Sequence, residues 1–184
     1  MSPVTHFLAG WLLANTASLN RRDRAAVVVA AVIPDVDGLG AIPELLTRNS
    51  VHPLNWFSQY HHSLHTLAFA LAVTLVSFLV ARRRWVTALL VFLSFHLHLL
   101  GDLLGARGPD GYSWPIPYLK PFSNSLQLSW QGQWALNAWP NVVITAVFLF
   151  VTLFLAWKQG LSPLEFVSQR ASAALVAALR LRFS

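Results

Sequence analysis

The sequence predicts an all-α integral membrane protein: a helical bundle with about four membrane-embedded helices, a short re-entrant helix and a C-terminal amphipathic helix. Of its 184 residues, 55% are hydrophobic and only 11% are charged, whereas an ordinary soluble domain carries about 25% charged residues. Three apolar stretches contain no Lys or Arg, and at about 1.5 Å per residue each is long enough for roughly 30 Å of hydrocarbon. These stretches are residues 63–81, 85–101 and 141–157.

Two further apolar segments lie before these stretches. Residues 3–19 form a weaker fourth segment. Residues 25–33 are too short to span a bilayer, so we expect a partial or re-entrant element there. Nothing basic precedes the first segment and no plain small-residue cleavage site follows it, so we do not expect a secretory signal.

The C-terminal residues differ in composition from the rest of the chain. Ser162 suits a helix N-cap and Pro163 the first helical position, and Arg residues then occur among Leu, Val and Phe up to Phe183. This pattern predicts a basic amphipathic helix on the membrane surface, with a solvated terminal helix as the alternative. We therefore divide the chain into a membrane-embedded metal-site domain, residues 1–158, and a basic amphipathic tail, residues 159–184.

The basic residues lie beside the apolar stretches. The net charge of +6 could suggest nucleic acid, but this placement is the positive-inside pattern of membrane proteins, so no nucleic-acid partner is expected. Arg82, Arg83 and Arg84 occupy a tight turn between two apolar stretches, which predicts an antiparallel hairpin with a cytoplasmic turn. Ten of the 13 Lys and Arg residues then lie inside, and we expect a multi-pass protein of the inner membrane.

Two long connections lie on the opposite, outer side in this topology. They are residues 34–60 and 103–140, and the second contains several Trp residues of the kind that favour a membrane interface. Connections of this length are uncommon unless they are functional. We therefore expect them to fold over the outer face as a lid or a substrate wall.

Ionisable residues gather at one depth of the predicted bundle. Counted from the nearest Arg cluster at about 1.5 Å per residue, His6, Asp35, His65 and His98 lie roughly 16 to 26 Å from the cytoplasmic level. They therefore share one layer toward the outer, periplasmic side. Such groups are costly at membrane depth unless they are paired, metal-bound or exposed to water. Because the chain contains no Cys, any metal must be held by His nitrogen and carboxylate oxygen.

Two pairs in this layer have a spacing that suits metal ligands. His61 and His65 are four residues apart, as are His98 and Asp102, so each pair is predicted to project from one helical face. A divalent ion can bind both members of such a pair. His62 is three residues before His65 and is the alternative to His61.

Two carboxylates, Asp35 and Asp37, follow Pro34. The proline is expected to end the preceding helix, which leaves both carboxylates on an irregular turn where they could bridge two metals. One of the two could act as a base while the other binds metal, and the sequence leaves the division of roles open.

Two other His residues are not expected to bind metal. His96 lies about 120° around its helix from the face of His98 and Asp102, which favours packing or a hydrogen bond to a ligand. His52 is expected on a loop surface.

Several motifs follow one another in order over most of residues 1–125. They are Thr5-His6, Pro34-Asp35-Val36-Asp37, Tyr60-His61-His62-Ser63-Leu64-His65, His98-Leu99-Leu100-Gly101-Asp102, Gly108-Pro109-Asp110-Gly111 and Trp114-Pro115. On these motifs the chain resembles the LexA-regulated, membrane-bound metal-dependent hydrolase family (YdjM-like). That family is similar in pattern to zinc-dependent phospholipase C.

The resemblance implies a bound divalent metal, Zn²⁺ with Mn²⁺ as the alternative, and two or three ions. The family often spaces the outer His residues of its second motif by five, whereas His61 and His65 are four apart, so the choice between His61 and His62 stays open. The ligands that the resemblance implies are His6, Asp35 or Asp37, His61 or His62, His65, His98 and Asp102.

The predicted function is that of a membrane-bound, metal-dependent hydrolase. A site at the bilayer surface favours an amphiphilic substrate, so we expect a phosphoesterase that acts through metal-activated water on a lipid or lipid-linked molecule. The alternative is a metal-ion transporter or sensor that uses the same His and Asp cluster. A third interpretation is a structural membrane protein whose His and Asp residues only pair with one another.

Overall fold

A computed structural model describes residues 1–108 and 111–183 of the chain. These residues are helical wherever they form regular structure, and within them β pairing is limited to two isolated bridges. The α-helices are α1 (Pro3–Ala14), α2 (Arg21–Val32), α3 (Ala41–Thr47), α4 (Trp56–Tyr60), α5 (Leu67–Val80), α6 (Arg84–Gly105), α7 (Trp139–Gln159) and α8 (Gln169–Phe183), with 3₁₀ segments at Ile33–Gly40 and Pro163–Phe166. The predicted all-α class is confirmed.

Three helical segments of the described chain are long and apolar enough to cross a membrane. They are Arg21–Thr47, Arg84–Gly105 and Trp139–Gln159. Two apolar helices, α1 and α5, are shorter. Three candidate membrane spans and two shorter apolar helices agree with the predicted helical membrane protein.

The segment Arg21–Thr47 is longer than the predicted partial element at residues 25–33. The Asn20 side chain accepts a hydrogen bond from the backbone N–H of Asp23 and starts α2 at Arg21. Pro34 ends the α-helix but lies at the first turn of the 3₁₀ segment, where its missing N–H is not needed. Helical structure therefore continues to Thr47, so the helical segment is longer than the apolar stretch at residues 25–33 and is long enough to cross a membrane. The re-entrant path stays a prediction.

The hairpin predicted around the Arg turn is present. Helices α5 and α6 pack together across a turn at residues 81–83. The buried carboxylate of Asp23 accepts the backbone N–H groups of Arg82 at 3.1 Å and Arg83 at 3.0 Å. The start of α2 therefore fixes the turn of the hairpin.

The core lies between α1, α2 and α6. Trp11, Val27 and Val91 are fully buried there. A Cβ atom at Gly10 would lie 2.5 Å from the Cβ of Ala31, so this glycine allows α1 and α2 to approach closely. Small residues at helix contacts are typical of packing in lipid, where apolar surface alone does not drive helices together.

The second long connection folds back onto the end of α6. The backbone N–H of Trp134 donates to the carbonyl of Leu104, and the Gln133 amide donates to the carbonyl of Asp102 at 2.8 Å. Asn141, at the start of α7, donates to the carbonyl of Gly105 at 2.9 Å. These bonds satisfy the last carbonyls of α6 and hold the connection over the end of the bundle.

The C-terminal tail does not form the single helix that Ser162 and Pro163 predicted. The 3₁₀ segment Pro163–Phe166 comes first, and α8 begins only at Gln169, where Ser168 accepts the N–H of Ala171 as a cap. The tail is divided into two helical segments because Glu165 is held by Arg24 of α2, with hydrogen bonds of 2.8 and 2.6 Å. The predicted domain division at residue 158 stays a prediction.

Candidate metal centre

Four separate parts of the chain supply side chains to one buried cluster. Helix α1 supplies His6, the 3₁₀ segment Ile33–Gly40 supplies two aspartates, the turn before α5 supplies three histidines, and α6 supplies a His and an Asp. The residues brought together are His6, Asp35, Asp37, His61, His62, His65, His98 and Asp102.

Four of these residues could hold one metal ion. The ligand atoms of Asp35, His65, His98 and Asp102 all lie within 4.8 Å of one another. His98 Nε2 lies 3.1 Å from His65 Nε2, 3.0 Å from Asp102 Oδ2 and 3.8 Å from Asp35 Oδ1, and His65 Nε2 lies 3.3 Å from Asp102 Oδ2. A tetrahedral ion with bonds of about 2.0–2.1 Å spaces its ligands about 3.3 Å apart. The separations among His65, His98 and Asp102 are close to this spacing, whereas Asp35 Oδ1 lies farther away, at 3.8 Å from His98 Nε2.

The orientation of His98 suits metal binding. Its Nδ1–H donates to the carbonyl oxygen of Ala31 at 2.8 Å, which directs Nε2 toward the cluster. His98 and Asp102 are four residues apart on α6 and both reach the same point, as the helical spacing predicted.

The expectation that His61 and His65 project from one helical face is wrong. Both residues lie in a turn before α5, because Thr66 caps that helix by accepting the N–H of Phe69 and the helix begins only at Leu67. Within the turn, His62 has a φ of 71°, in the left-handed region. His65 reaches the cluster because of this turn.

Asp37 holds the turn in place. It accepts hydrogen bonds from His61 Nδ1 at 3.2 Å and from the N–H of Leu64 at 3.2 Å, and its Oδ2 lies 3.4 Å from His65 Nδ1. Asp35 differs, because its Oδ2 is buried without a hydrogen-bond partner among the described residues. Asp35 and Asp37, whose roles the sequence does not distinguish, therefore have different surroundings.

The choice between His61 and His62 is not decided by the four-residue group, which contains neither. His61 is bonded to Asp37, whereas His62 is only 3% exposed and its Nδ1 has no partner among the described residues. Burial, followed by the neighbouring His65 and His61, lowers the pKa of His62 to about 3. His62 is therefore neutral near pH 7, the form in which His binds a metal.

His65 lies between two carboxylates, ahead of α5. Burial opposes a charge on its ring, but hydrogen bonds and attraction from Asp102 and Asp37 outweigh it and raise the pKa of His65 to about 9. The cluster thus favours a positive charge at its centre, which a divalent ion would also supply.

His6 reaches the cluster through Asp102. Its Nε2 lies 3.1 Å from Asp102 Oδ1, and the amino group of Met1 also contacts that oxygen. A Cβ atom at Gly101 would come within 2.9 Å of the His6 ring, so a glycine is needed where α1 meets α6. Asp102 therefore has His6 on one oxygen and His65 with His98 on the other.

The two histidines not expected to bind metal lie outside the cluster. His96 donates from Nδ1 to the carbonyl of Phe92 at 2.8 Å, and its Nε2 accepts from the hydroxyl of Tyr118 at 2.9 Å. It joins α6 to the second long connection. His52 is exposed in a loop.

A cavity of about 440 Å³ opens beside the cluster. Asp35 and Asp102 lie on its wall together with His61 and His62, and Trp114 of the second connection contacts the His61 ring edge-on, 4.9 Å between centroids. The prediction that this connection forms a substrate wall agrees with this geometry. Sequence reasoning overlooked Arg107, which also lines the cavity. The available signal was its position five residues after Asp102.

Comparison with known proteins identifies the family. Residues 1–181 match the family model described as YdjM inner membrane protein. The chain belongs to this family. No curated protein and no solved structure gives a significant match.

Family membership agrees with the helices in indicating an inner membrane protein. The match also agrees with the resemblance drawn from the ordered motifs. In the motif at residues 108–111, Pro109 and Asp110 lie outside the described residues. The phospholipase C likeness, the LexA regulation and the periplasmic orientation stay predictions.

Proposed function

We propose that this chain is a membrane-bound, metal-dependent hydrolase that cleaves a phosphoester in a lipid or lipid-linked molecule. The observation that carries the proposal is the four-ligand group of Asp35, His65, His98 and Asp102, next to a cavity of about 440 Å³. A group of metal-binding side chains with an open cavity beside it is the arrangement expected of a catalytic metal site.

The donor set fits a divalent ion. Two imidazole nitrogens and two carboxylates suit Zn²⁺, with Mn²⁺ as the alternative. The unpartnered Oδ2 of Asp35 is a buried polar atom of the kind that a cation would satisfy. Donors for a second ion are available on His61, His62 and Asp37, in keeping with two or three ions.

The bound ion would lower the pKa of a water from about 15.7 toward 7 and neutralise charge on a phosphoryl oxygen. We assign the role of base to Asp35, because its carboxylate faces the cavity, is 22% exposed and has a free oxygen. His65, His98 and Asp102 would then hold the ion and leave its fourth position open for water. Asp37 is already bonded to His61 and Leu64 and would position the histidine turn. Trp114 and the second connection would exclude bulk water from one side.

An apolar groove supports a lipid substrate. It has a volume of about 580 Å³, runs between α1, α6 and α7, and is lined by side chains such as Leu97, Ile144 and Phe148. Met1 borders both this groove and the cavity beside the metal group. An amphiphile could therefore place an acyl or isoprenyl chain in the groove and its phosphate in the cavity, with the site on the periplasmic side of the inner membrane.

The test uses the purified full-length protein in detergent. We expect it to retain about one or more Zn²⁺ per chain and to release phosphate or a phosphorylated head group from one member of a panel of phospholipids and lipid-linked phosphates. A chelator should abolish this activity and Zn²⁺ or Mn²⁺ should restore it.

The variant that tests the metal ligands is His98→Ala, which should lose both metal and activity. No turnover by fully metal-loaded protein across the panel would contradict the hydrolase proposal. Uptake of the same ion into proteoliposomes, without any turnover, would favour a transporter.

A further inference from the structure

One guanidinium lines the cavity beside the metal group. Arg107 lies just after α6, which ends at Gly105. Its backbone is bonded on both sides, because its N–H donates to the carbonyl of Trp134 at 3.2 Å and its carbonyl accepts from the N–H of Leu136 at 3.0 Å. The position of Arg107 is therefore fixed by the second connection.

The guanidinium itself is only partly bonded. Its Nη2 donates to the carbonyl of Gln131 at 2.6 Å, whereas its Nε is buried and has no partner among the described residues. The buried arginine Arg24 differs, because it donates from Nε and Nη2 to the two oxygens of Glu165. A buried donor without a partner costs about 1–3 kcal/mol, and an anion bound in the cavity could offset this cost by accepting from the guanidinium.

The chemistry of the cavity indicates the kind of ligand. Asp35 and Asp102 line the same cavity, and without a metal they would repel an anion. With a divalent ion at the four-ligand group, Arg107 and the ion would face the cavity as two positive centres. A planar guanidinium is well suited to phosphate, since it offers parallel N–H groups to two oxygens.

We propose that Arg107 binds the phosphoryl group of the substrate and thereby determines that the site accepts phosphate esters. This inference rests on the proposed hydrolase function and deepens it. The ion would hold the reacting side of the phosphate, and Arg107 would hold its non-reacting oxygens.

The test measures binding of inorganic phosphate to the zinc-loaded, full-length protein by isothermal titration calorimetry, after free metal has been removed. The variants are Arg107→Gln, Arg107→Lys and, as a control, Arg48→Gln, because Arg48 is exposed at the end of α3. Arg107→Gln should weaken phosphate binding by at least about tenfold. Arg107→Lys should lie between this variant and the wild type, and Arg48→Gln should match the wild type.

Metal content of each variant is measured beside the affinity and should equal that of the wild type. Failure of the wild type to bind phosphate, or equal affinity in Arg107→Gln and the wild type, would overturn the proposal. If Arg107→Gln does not fold or loses metal, Arg107→Lys decides, and an unchanged affinity there overturns it. Phosphate binding that depends on Arg107, without turnover of any phosphoester, would remove the hydrolase function and keep the phosphate site.

Discussion

The Nδ1–H of His98 donates a hydrogen bond to the carbonyl oxygen of Ala31 at 2.8 Å, and this bond joins α6 to α2 at the metal group. It directs His98 Nε2 toward Asp102, 3.0 Å away, and toward His65, 3.1 Å away. The same contact between two core helices therefore stabilises the bundle and sets the direction of a ligand. Loss of a ligand and loss of packing can be separated by variants on the two faces of α6.

The first prediction concerns the two faces of α6. His98→Ala and Asp102→Ala should each weaken Zn²⁺ binding by more than about 100-fold, because even residues that only support metal ligands cost about 10- to 100-fold. His96→Ala should keep most of the metal, since His96 bonds to Phe92 and Tyr118 instead. Elemental analysis of the purified variants measures this. Equal metal loss in all three folded variants would place the metal elsewhere.

The second prediction separates the two aspartates. Asp35→Asn should abolish activity and weaken metal binding, because Asp35 belongs to the four-ligand group and carries the free oxygen. Asp37→Asn should weaken metal binding by about 10- to 100-fold, as expected for a residue that orients ligands. Metal affinity and turnover of both variants provide the comparison. A larger loss of affinity in Asp37→Asn would reverse the assignment of roles.

The third prediction concerns the hairpin turn. Asp23→Ala removes the acceptor of the Arg82 and Arg83 N–H groups, so we expect the protein to lose about 1–3 kcal/mol of stability. Asp23→Asn keeps one acceptor and should lose less. Thermal unfolding in detergent measures both variants. A melting temperature for Asp23→Ala equal to that of the wild type would show that the turn does not depend on this carboxylate.

The fourth prediction concerns the buried ion pair between Arg24 and Glu165. Glu165→Gln leaves a buried guanidinium without its counter-charge and should destabilise the protein by about 3–5 kcal/mol. It should also release the tail, so that a protease cleaves near residue 160 faster than in the wild type. Replacing Arg24 and Glu165 together by Leu and Met should recover part of the stability. Unchanged proteolysis of Glu165→Gln would mean that other contacts hold the tail.

The fifth prediction concerns orientation in the membrane. A reporter inserted at the turn of residues 82–84 should register as cytoplasmic, and a reporter near Gly111 should register as periplasmic. The reason is the bias of basic residues toward the side of the Arg turn. Insertions at both sites that report the same compartment would contradict the predicted topology and the periplasmic location of the metal group.

Composition and spacing were sufficient for much of the fold. The helical class, the hairpin at the Arg turn and the approach of His98 and Asp102 follow from apolar length, charge placement and the period of a helix. Boundaries were less predictable. The start of α5 at Leu67 depends on a cap by Thr66, and the continuation past Pro34 depends on a 3₁₀ turn, which local propensity does not distinguish from a helix end.

The sequence by itself determined which residue types gather at one depth of the bundle, because depth depends on the number of residues from a charged boundary. The tertiary structure alone decided which atoms face one another. The turn with His62 at positive φ, the bond from His98 to Ala31 and the return of the second connection with Arg107 all join residues far apart in the chain. Local spacing carries no information on such contacts, since they depend on how separate helices pack.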